Sequence, residues 1–386
     1  MDGARAQVRN ILTTLVGFDT VSRNSNLALI DWVEGYLSDL GAQCARVLSD
    51  DGKKANFYAT LGPINPGGLV LSGHTDVVPV DGQDWSGDPF IMREQGGRYY
   101  GRGTCDMKGF IACALAAAPD FARAHLARPV HFAFSYDEEV GCIGAPSLIE
   151  ALHRDLPAPA AVLVGEPSDM HVVSAHKGQN SYRVQVLGKE AHSSLPHQGA
   201  SAVMAAGLLM AELSAIADDL RTQANPHNPF DPPYGTLTIG LVKGGTAVNI
   251  IARECTFSWD LRLLPSDDCA AIEARFAKKV KEVEAQMRQS APEAQILFER
   301  KTSAPPLTAD PQSAAEQIAR LLTGDNDSRV VSYTTEAGHF QQAGLPAVIC
   351  GPGSIEQAHK PDEYVTISQL DLCLETLKKL PKHLSH

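Results

Sequence analysis

Histidines and acidic residues that could bind metal ions or move protons stand at five places in this chain. Each place follows a strand-like apolar run or lies in a glycine-rich loop. The places are His74 and Asp76 in GHTD, Asp106 in GRGTCDMKG, Glu138 and Glu139 in SYDEEVG, Glu166 in LVGEPSD, and His359 in SIEQAHKPDE. In an open α/β sheet, binding sites lie beyond the carboxyl ends of the strands, so all five places could converge on one site.

Two histidines with several carboxylates form a ligand set of hard-to-borderline character. Such a set suits Zn²⁺, Co²⁺ or Mn²⁺ and differs from an all-thiolate structural zinc site. The number of ligands suggests two metal ions sharing one bridging carboxylate, and ions about 3.5–4 Å apart can act together on one substrate. Glu138 and Glu139 are neighbours whose side chains point different ways, so one could bind metal while the other serves as a general base.

Each of these residues also has a purely structural interpretation. A single glutamate after a strand, such as Glu166, is usually a solvated cap, and a single loop histidine, such as His359, is more often a surface residue. Cys105 adjoins Asp106 and could be mistaken for a ligand. Only the combination favours a shared site, because each acid follows the same transition from strand to loop.

The segments that carry these residues alternate between strand-like and helical patterns. GLVLSG, MKGFIACALAAA and VHFAFSYDEE are examples, and this alternation predicts an α/β sheet with helices on its faces. Near residue 178 the pattern changes to alternating strands and two long helices, which predicts a smaller domain with an antiparallel sheet. The first pattern returns after TSAPPL. We therefore predict a catalytic domain at 1–178 and 301–386, interrupted by an inserted domain at 179–300.

The composition excludes several classes of function. The 386 residues are 44% apolar and 20% charged, which is ordinary for a globular protein, and the formal net charge of −12 argues against nucleic acid or an anionic membrane as partner. No stretch approaches the roughly 20 apolar residues of a membrane-spanning helix, and the N-terminal segment lacks the apolar core of a signal peptide. The eight cysteines lack CxxC spacing and are expected to be reduced thiols in the cytoplasm.

A group of motifs resembles one enzyme family. SGHTDVVPV, GRGTCDMKG, SYDEEVGCIGA, VGEPS and GPGSIEQAHKPDEYV are similar to motifs of the acetylornithine deacetylase, succinyl-diaminopimelate desuccinylase and aminoacylase family of two-metal amidohydrolases. The likeness runs almost from end to end. It implies an α/β, metallopeptidase-like catalytic domain, with a mixed central sheet flanked by helices, and an inserted smaller α+β dimerisation domain.

The resemblance also implies a set of metal ligands. His74 and Glu166 would bind one ion, Glu139 and His359 would bind the other, and Asp106 would bridge the two. Zinc is the expected metal at both positions, with cobalt as the alternative. The peptide bond that follows the bridging aspartate is expected to be cis.

Other residues receive catalytic and binding roles from the same resemblance. Glu138 would be the general base, and Asp76 would lie behind His74 and fix the tautomer of that imidazole. His192 would enter the active site of the partner in a homodimer. Asn249 would contact the substrate, and Arg262 would bind its α-carboxylate with both arms of the guanidinium.

The residues alone favour a different interpretation of Arg262, a cross-strand ion pair with Asp260 or Glu254. The implied reaction is hydrolysis of N²-acetyl-L-ornithine to L-ornithine and acetate in arginine biosynthesis. Succinyl-diaminopimelate and acetylcitrulline are the alternative substrates. A metal-binding protein without catalytic activity is the alternative from another class.

Overall fold

A computed structural model of the protein describes residues 2–327 and 329–385. They form two compact units. Unit 1 comprises Met1–Ala175, Leu307–Val330 and Thr335–His386, and unit 2 comprises His176–Pro306 and Val331–Thr334. The sequence places the two boundaries a few residues away, at 178/179 and 300/301. It does not indicate that the short segment Val331–Thr334 returns to unit 2.

The secondary structure elements are numbered here along the chain. The strands are β1 (Gln43–Leu48), β2 (Ala55–Leu61), β3 (Leu69–His74), β4 (Arg93–Gln95), β5 (Arg98–Tyr100), β6 (Val130–Ser135), β7 (Ala161–Pro167), β8 (Val173–His176), β9 (Gly178–Leu187), β10 (Thr236–Gly244), β11 (Glu254–Leu263), β12 (Gln295–Ala304), β13 (Arg329–Val331), β14 (Ala347–Gly351) and β15 (Tyr364–Thr366). The helices are α1 (Asp2–Val16), α2 (Leu27–Ser38), α3 (Lys108–Arg123), α4 (Ala145–Asp155), α5 (Ala202–Thr222), α6 (Cys269–Met287), α7 (Ala314–Thr323), α8 (Ala337–Gln342), α9 (Ile367–Leu377) and α10 (Leu380–Leu384).

Unit 1 is built on an eight-stranded mixed sheet with the order β1-β2-β6-β3-β7-β14-β8-β13. The central strands β6, β3, β7 and β14 are parallel, whereas β1, β2 and β8 run antiparallel to their neighbours. Helices α1, α3 and α9 pack together, and α2, α4 and α7 also contact strands of this sheet. The prediction of a mixed central sheet flanked by helices is confirmed.

Strand β3 lies at the centre of this sheet, between β6 and β7. All six of its residues are buried, as expected for a continuous apolar run with parallel neighbours on both sides. Position 73 has no room for a side chain, because a Cβ atom there would lie 2.8 Å from the Met107 Cε atom. The glycine therefore allows the start of α3 to pack closely against the end of β3.

Unit 2 has a four-stranded antiparallel sheet with the order β10-β11-β9-β12. Burial alternates along β9 and β11, so one sheet face is covered by α5 and α6. The Tyr182 and Trp259 rings stack in this core with their centroids 4.0 Å apart. Side chains of Ser201 and Asp268 cap the first turns of α5 and α6, which fixes where both helices begin. This is the α+β insertion that the sequence predicts.

Within the described residues, no helix combines the length and the apolar character needed to cross a membrane. All eight cysteines lie in the described part of the chain, and none of them is paired in a disulfide there.

Candidate metal centre

Three adjacent strands of unit 1 end beside the candidate site. His74 is the last residue of β3, and Glu166 is the penultimate residue of β7. Glu138 and Glu139 follow the end of β6 after a connection of two residues. Because β6, β3 and β7 are parallel neighbours, their carboxyl ends meet at one edge of the sheet.

Two loops complete the group. Asp106 lies between β5 and α3, and its peptide bond to Met107 is cis, which confirms the expectation from the sequence. His359 lies just before β15, in a backbone conformation with φ of 63°. Strands β5 and β15 pair in a separate three-stranded sheet, and this pairing holds the two loops side by side.

Asp106 lies between the two histidines. The Nε2 atom of His74 is 3.0 Å from Asp106 Oδ1, and the Nε2 atom of His359 is 3.3 Å from Asp106 Oδ2. Glu166 Oε1 lies 3.6 Å from His74 Nε2, and Glu139 Oε2 lies 3.0 Å from His359 Nε2. Each imidazole therefore faces one oxygen of the shared aspartate and one further carboxylate.

These separations fit metal coordination. Two ligand atoms that each lie about 2.1 Å from a tetrahedral Zn²⁺ ion are about 3.4 Å apart. The distances around His74 and His359 range from 3.0 to 3.6 Å. In addition, the buried Glu139 Oε1 atom has no hydrogen-bond partner among the described residues. A cation would satisfy this atom, so the donor set fits the divalent metals that the sequence implies.

Glu138 also lies within ligand distance of the group. Single ligand atoms of His74, Glu138 and Glu166 lie within 4.8 Å of one another, as do those of His74, Asp106 and Glu139. The position of Glu138 is thus compatible with either role that the sequence offers to the glutamate pair. What distinguishes Glu139 is its contact with His359.

The protonation of the group shows why it is suited to cations. Burial alone would lower the pKa of His74, but the hydrogen bond to Asp106 and the neighbouring negative charges raise that pKa well above its usual value. Hydrogen bonds to Asp106 and Glu139 raise the pKa of His359 to about 10. The carboxylates around the two imidazoles therefore stabilise their protonated, positively charged forms.

The pKa values of the three glutamates are also raised, which for an acid favours the uncharged form. Burial and the charge of Asp106 raise the pKa of Glu139 to about 7, and burial is the main reason that the pKa values of Glu138 and Glu166 lie well above their usual range. Asp106 differs: burial opposes its ionisation, yet contacts with both histidines keep its pKa below the usual value. Divalent cations would offset the repulsion among these acids.

Asp76 lies beside His74, and its contacts differ from those that the sequence suggests. His74 Nδ1 lies 2.9 Å from the main-chain oxygen of Asp76 and 3.6 Å from the carboxylate. The carboxylate instead accepts hydrogen bonds from the main-chain N–H groups of Glu138 and Glu139, at 3.1 and 3.2 Å, and from the Ser22 hydroxyl at 2.7 Å. Asp76 therefore also positions the loop that carries both glutamates.

The remaining sequence candidates lie in unit 2. His192 is exposed and forms a main-chain bridge with Ile250, and its Nδ1 atom accepts a hydrogen bond from the Ser194 main-chain N–H at 3.2 Å. Asn249 is next to this bridge, and its main-chain oxygen accepts a hydrogen bond from Ser193. The segment that contains His192, GKEAHSSLPHQG (188–199), and the segment that contains Asn249, GGTAVNIIA (244–252), are thus brought together within this unit.

Arg262 forms the kind of ion pair that the residues alone favour, although the pair lies along one strand and not across two. Its Nε atom donates to Asp260 Oδ1 at 3.0 Å, and its Nη1 atom lies 3.4 Å from Thr334 Oγ1. Residues two apart on a strand share a face, which explains this contact. The guanidinium remains about one third exposed, at 35% of its side-chain surface.

Comparison with known proteins places this α/β fold and its cluster of potential metal ligands in a group of hydrolases. The model of peptidase family M20/M25/M40 matches residues 70–383, and the chain belongs to this family. The acetylornithine deacetylase of Myxococcus xanthus is 35% identical over 385 residues, which cover 97% of each chain. That of Pasteurella multocida is 34% identical over 372 residues, covering 95% of this chain and 94% of the relative.

A solved structure shows the same fold at lower identity. An M20 family metallo-carboxypeptidase from Sulfolobus solfataricus superposes with a TM-score of 0.77 at 18% identity, covering 98% of this chain and 99% of the other. The match to the family model and the two curated relatives confirm the family resemblance drawn from the five motifs.

Proposed function

We propose that this protein is a cytoplasmic, two-metal amide hydrolase that converts N²-acetyl-L-ornithine to L-ornithine and acetate in arginine biosynthesis. The observation that carries the chemistry is Asp106, whose two oxygens each face one histidine and thereby define two adjacent ligand groups. The curated relatives named acetylornithine deacetylase support the choice of substrate.

The proposed ligands divide between two ions. His74 and Glu166 hold one, Glu139 and His359 hold the other, and Asp106 is shared. Zinc suits this mixture of nitrogen and oxygen ligands, and cobalt is the alternative. When bound, the two ions would polarise the acyl carbonyl and make a water molecule more acidic.

The protein side chains then have separate tasks. Glu138 accepts a proton from the attacking water and passes it to the leaving amine, which needs a carboxylate close to the ligand groups. Asn249 and Arg262 contact the substrate, and Arg262 binds its α-carboxylate. That role requires the guanidinium to leave or share its ion pair with Asp260, whose carboxylate it contacts here.

The substrate assignment is tested by a direct comparison of substrates. The catalytic efficiency, kcat/KM, is measured for acetylornithine, acetylcitrulline and succinyl-diaminopimelate with the zinc-loaded and the cobalt-loaded enzyme. We expect acetylornithine to be preferred with both metals. A preference for the succinyl substrate would overturn the assignment, and metal binding without turnover of any acyl-amino acid would favour a non-catalytic protein.

We also propose that the protein forms a homodimer through unit 2. Strand β10 is an edge strand, and most of its side chains are exposed. Large apolar side chains are exposed on or near it and on α5: Met204 at 75%, Leu241 at 71%, and also Val203, Leu208, Val242 and Val248. An unprotected apolar edge is unfavourable in a monomer, and a second copy could cover it by the same surface.

The metal ligands are tested by removing one shared and one unshared ligand. We expect His359→Ala to weaken the binding of one ion and to leave the other on His74 and Glu166. Asp106→Ala should impair both, because its two oxygens serve both groups. Calorimetric titration of the metal-free protein with Zn²⁺ measures how many ions each variant binds and how tightly. His153→Ala, which replaces an exposed histidine outside the site, is the control. Two ions bound with unchanged affinity in His359→Ala would show that this histidine is not a ligand.

A further inference from the structure

Glu363 is a buried carboxylate that no step of the proposed reaction uses. Its side chain is 1% exposed. The Oε1 atom accepts hydrogen bonds from the main-chain N–H groups of Cys105 and Asp106, at 2.8 and 3.0 Å. The Oε2 atom accepts from the main-chain N–H of Gly103 at 3.0 Å and from Arg102 Nη1 at 2.7 Å. One carboxylate thus holds four donors from five consecutive residues.

This donor set requires Glu363 to be ionised. Each of its oxygens faces two N–H groups, and a protonated carboxyl would turn one of them into a competing donor. Arg102 supplies the compensating positive charge and is equally buried, at 1% exposed. A fully buried carboxylate without such a partner would be strongly unfavourable.

The same contacts reach the loop that carries His359. Arg102 Nη1 lies 3.3 Å from the main-chain oxygen of Lys360, and its Nη2 atom donates to Gln83 Oε1 at 2.6 Å. Gln83 in turn donates from Nε2 to the main-chain oxygen of His359 at 2.9 Å. The Glu363 main chain also accepts from the Gly101 N–H at 3.0 Å, where β15 and β5 begin to pair.

We propose that Glu363 is a positioning residue that sets the spacing between Asp106 and His359. It follows His359 by four positions, and it binds the main-chain N–H of Asp106 directly. Through these links Glu363 connects Asp106, the proposed shared ligand, to His359, a proposed ligand of one ion. The Asp106 Oδ2 and His359 Nε2 atoms are 3.3 Å apart. This inference rests on the proposed metal-binding function, since it assigns what holds two of the ligands in place.

The alternative is that Glu363 merely stabilises the fold as half of a buried ion pair. Glu316 offers a matched control, because it is 2% exposed and pairs with Arg320 at 2.7 Å one turn along α7. Among the described residues, the hydrogen bonds of Glu316 and Arg320 join them to α7 and to the turn that follows it, and not to the proposed ligands. Glu363→Gln and Glu316→Gln each replace a buried carboxylate by an amide of the same shape, so both should lower the melting temperature.

Metal binding separates the two interpretations. In Glu363→Gln the new NH₂ group faces N–H donors, so the Asp106 and His359 loops should shift. We expect Co²⁺ and Zn²⁺ to bind about 10–100-fold more weakly, as is typical when partners of ligands are replaced. The visible absorption spectrum of the cobalt-loaded variant should also change. Glu316→Gln should keep the wild-type affinity and spectrum.

Calorimetry and absorption spectroscopy are performed on the full chain well below the melting temperature of each variant. Wild-type affinity and spectrum in Glu363→Gln would overturn the proposal, as would an equal loss in Glu316→Gln. If Glu363→Gln does not fold, Glu363→Asp decides in its place. Aspartate keeps the charge, but its shorter side chain moves the oxygens away from the N–H donors. Weaker metal binding and an altered spectrum therefore support the positioning role, and wild-type values contradict it. Failure of the wild-type protein to bind Zn²⁺ or Co²⁺ would instead refute the proposed function.

Discussion

Replacing Glu138 by glutamine is expected to lower kcat by about 10²–10⁴ and to leave metal content and substrate affinity unchanged. An amide has the shape of the carboxylate but cannot accept the proton of the attacking water. The surrounding loop should keep its conformation, because the main-chain N–H of Glu138, which the substitution leaves in place, donates to the Asp76 carboxylate. Burial and the charge of Glu139 both make the Glu138 carboxylate a stronger base than a free glutamate, while His74 opposes this.

The neighbouring glutamate provides the comparison for this experiment. Glu139→Gln changes the same functional group one residue away. We expect this variant to contain less metal, while its turnover per bound metal ion falls less than that of Glu138→Gln. Steady-state kinetics are therefore paired with metal analysis of both variants. Near-normal turnover in metal-loaded Glu138→Gln would exclude it as the base, and loss of metal from that variant would make it a ligand.

Mixing two inactive homodimers is expected to restore about a quarter of the wild-type activity. If His192 acts in the partner chain, each site uses Glu138 from one subunit and His192 from the other. Glu138→Gln and His192→Ala homodimers should each be nearly inactive. In a mixed dimer, both lesions fall in one site and the other site is intact.

The size of the recovery follows from random exchange of subunits. Half of the dimers should be mixed, and each mixed dimer has one intact site of two. If His192 acted within its own chain, every site would carry one lesion and mixing would restore nothing. Native mass spectrometry verifies the exchange. His197→Ala replaces a second exposed histidine of the same segment and is the control for His192→Ala. Exchange without recovery would exclude the role in trans.

The parts of the site that the sequence predicts are those governed by strand ends. His74, Glu166 and the glutamate pair each follow an apolar run, and parallel neighbours bring such positions together whatever the loops do. The sequence does not show the order of the strands, and the close approach of these side chains depends on β3 lying between β6 and β7. The α/β sheet and the inserted antiparallel domain were predictable from their different periodicities, whereas the mixed order of the central sheet was implied only by the family resemblance.

Contacts between main-chain groups and distant side chains could not be predicted in the same way. Asp76 was expected to orient an imidazole, but its carboxylate binds two N–H groups of a loop that lies 62 residues further along the chain. The register of β5 against β15 determines which N–H groups Glu363 reaches, and no pattern in the sequence specifies that register. The acid next to a ligand motif, in HKPDE, is the only local sign of Glu363.

The position of the insertion has a consequence for the growing polypeptide on the ribosome. Val162 in β7 pairs with Ala347 in β14, and between them lie the whole of unit 2 and α7. At a synthesis rate of about 5–20 residues per second, the second edge of β7 stays without its native partner for roughly 10–40 s. An unpaired apolar strand edge invites pairing with other chains. Growth temperature and chaperone supply should therefore affect the soluble yield of this enzyme more than the stability of the finished fold would indicate.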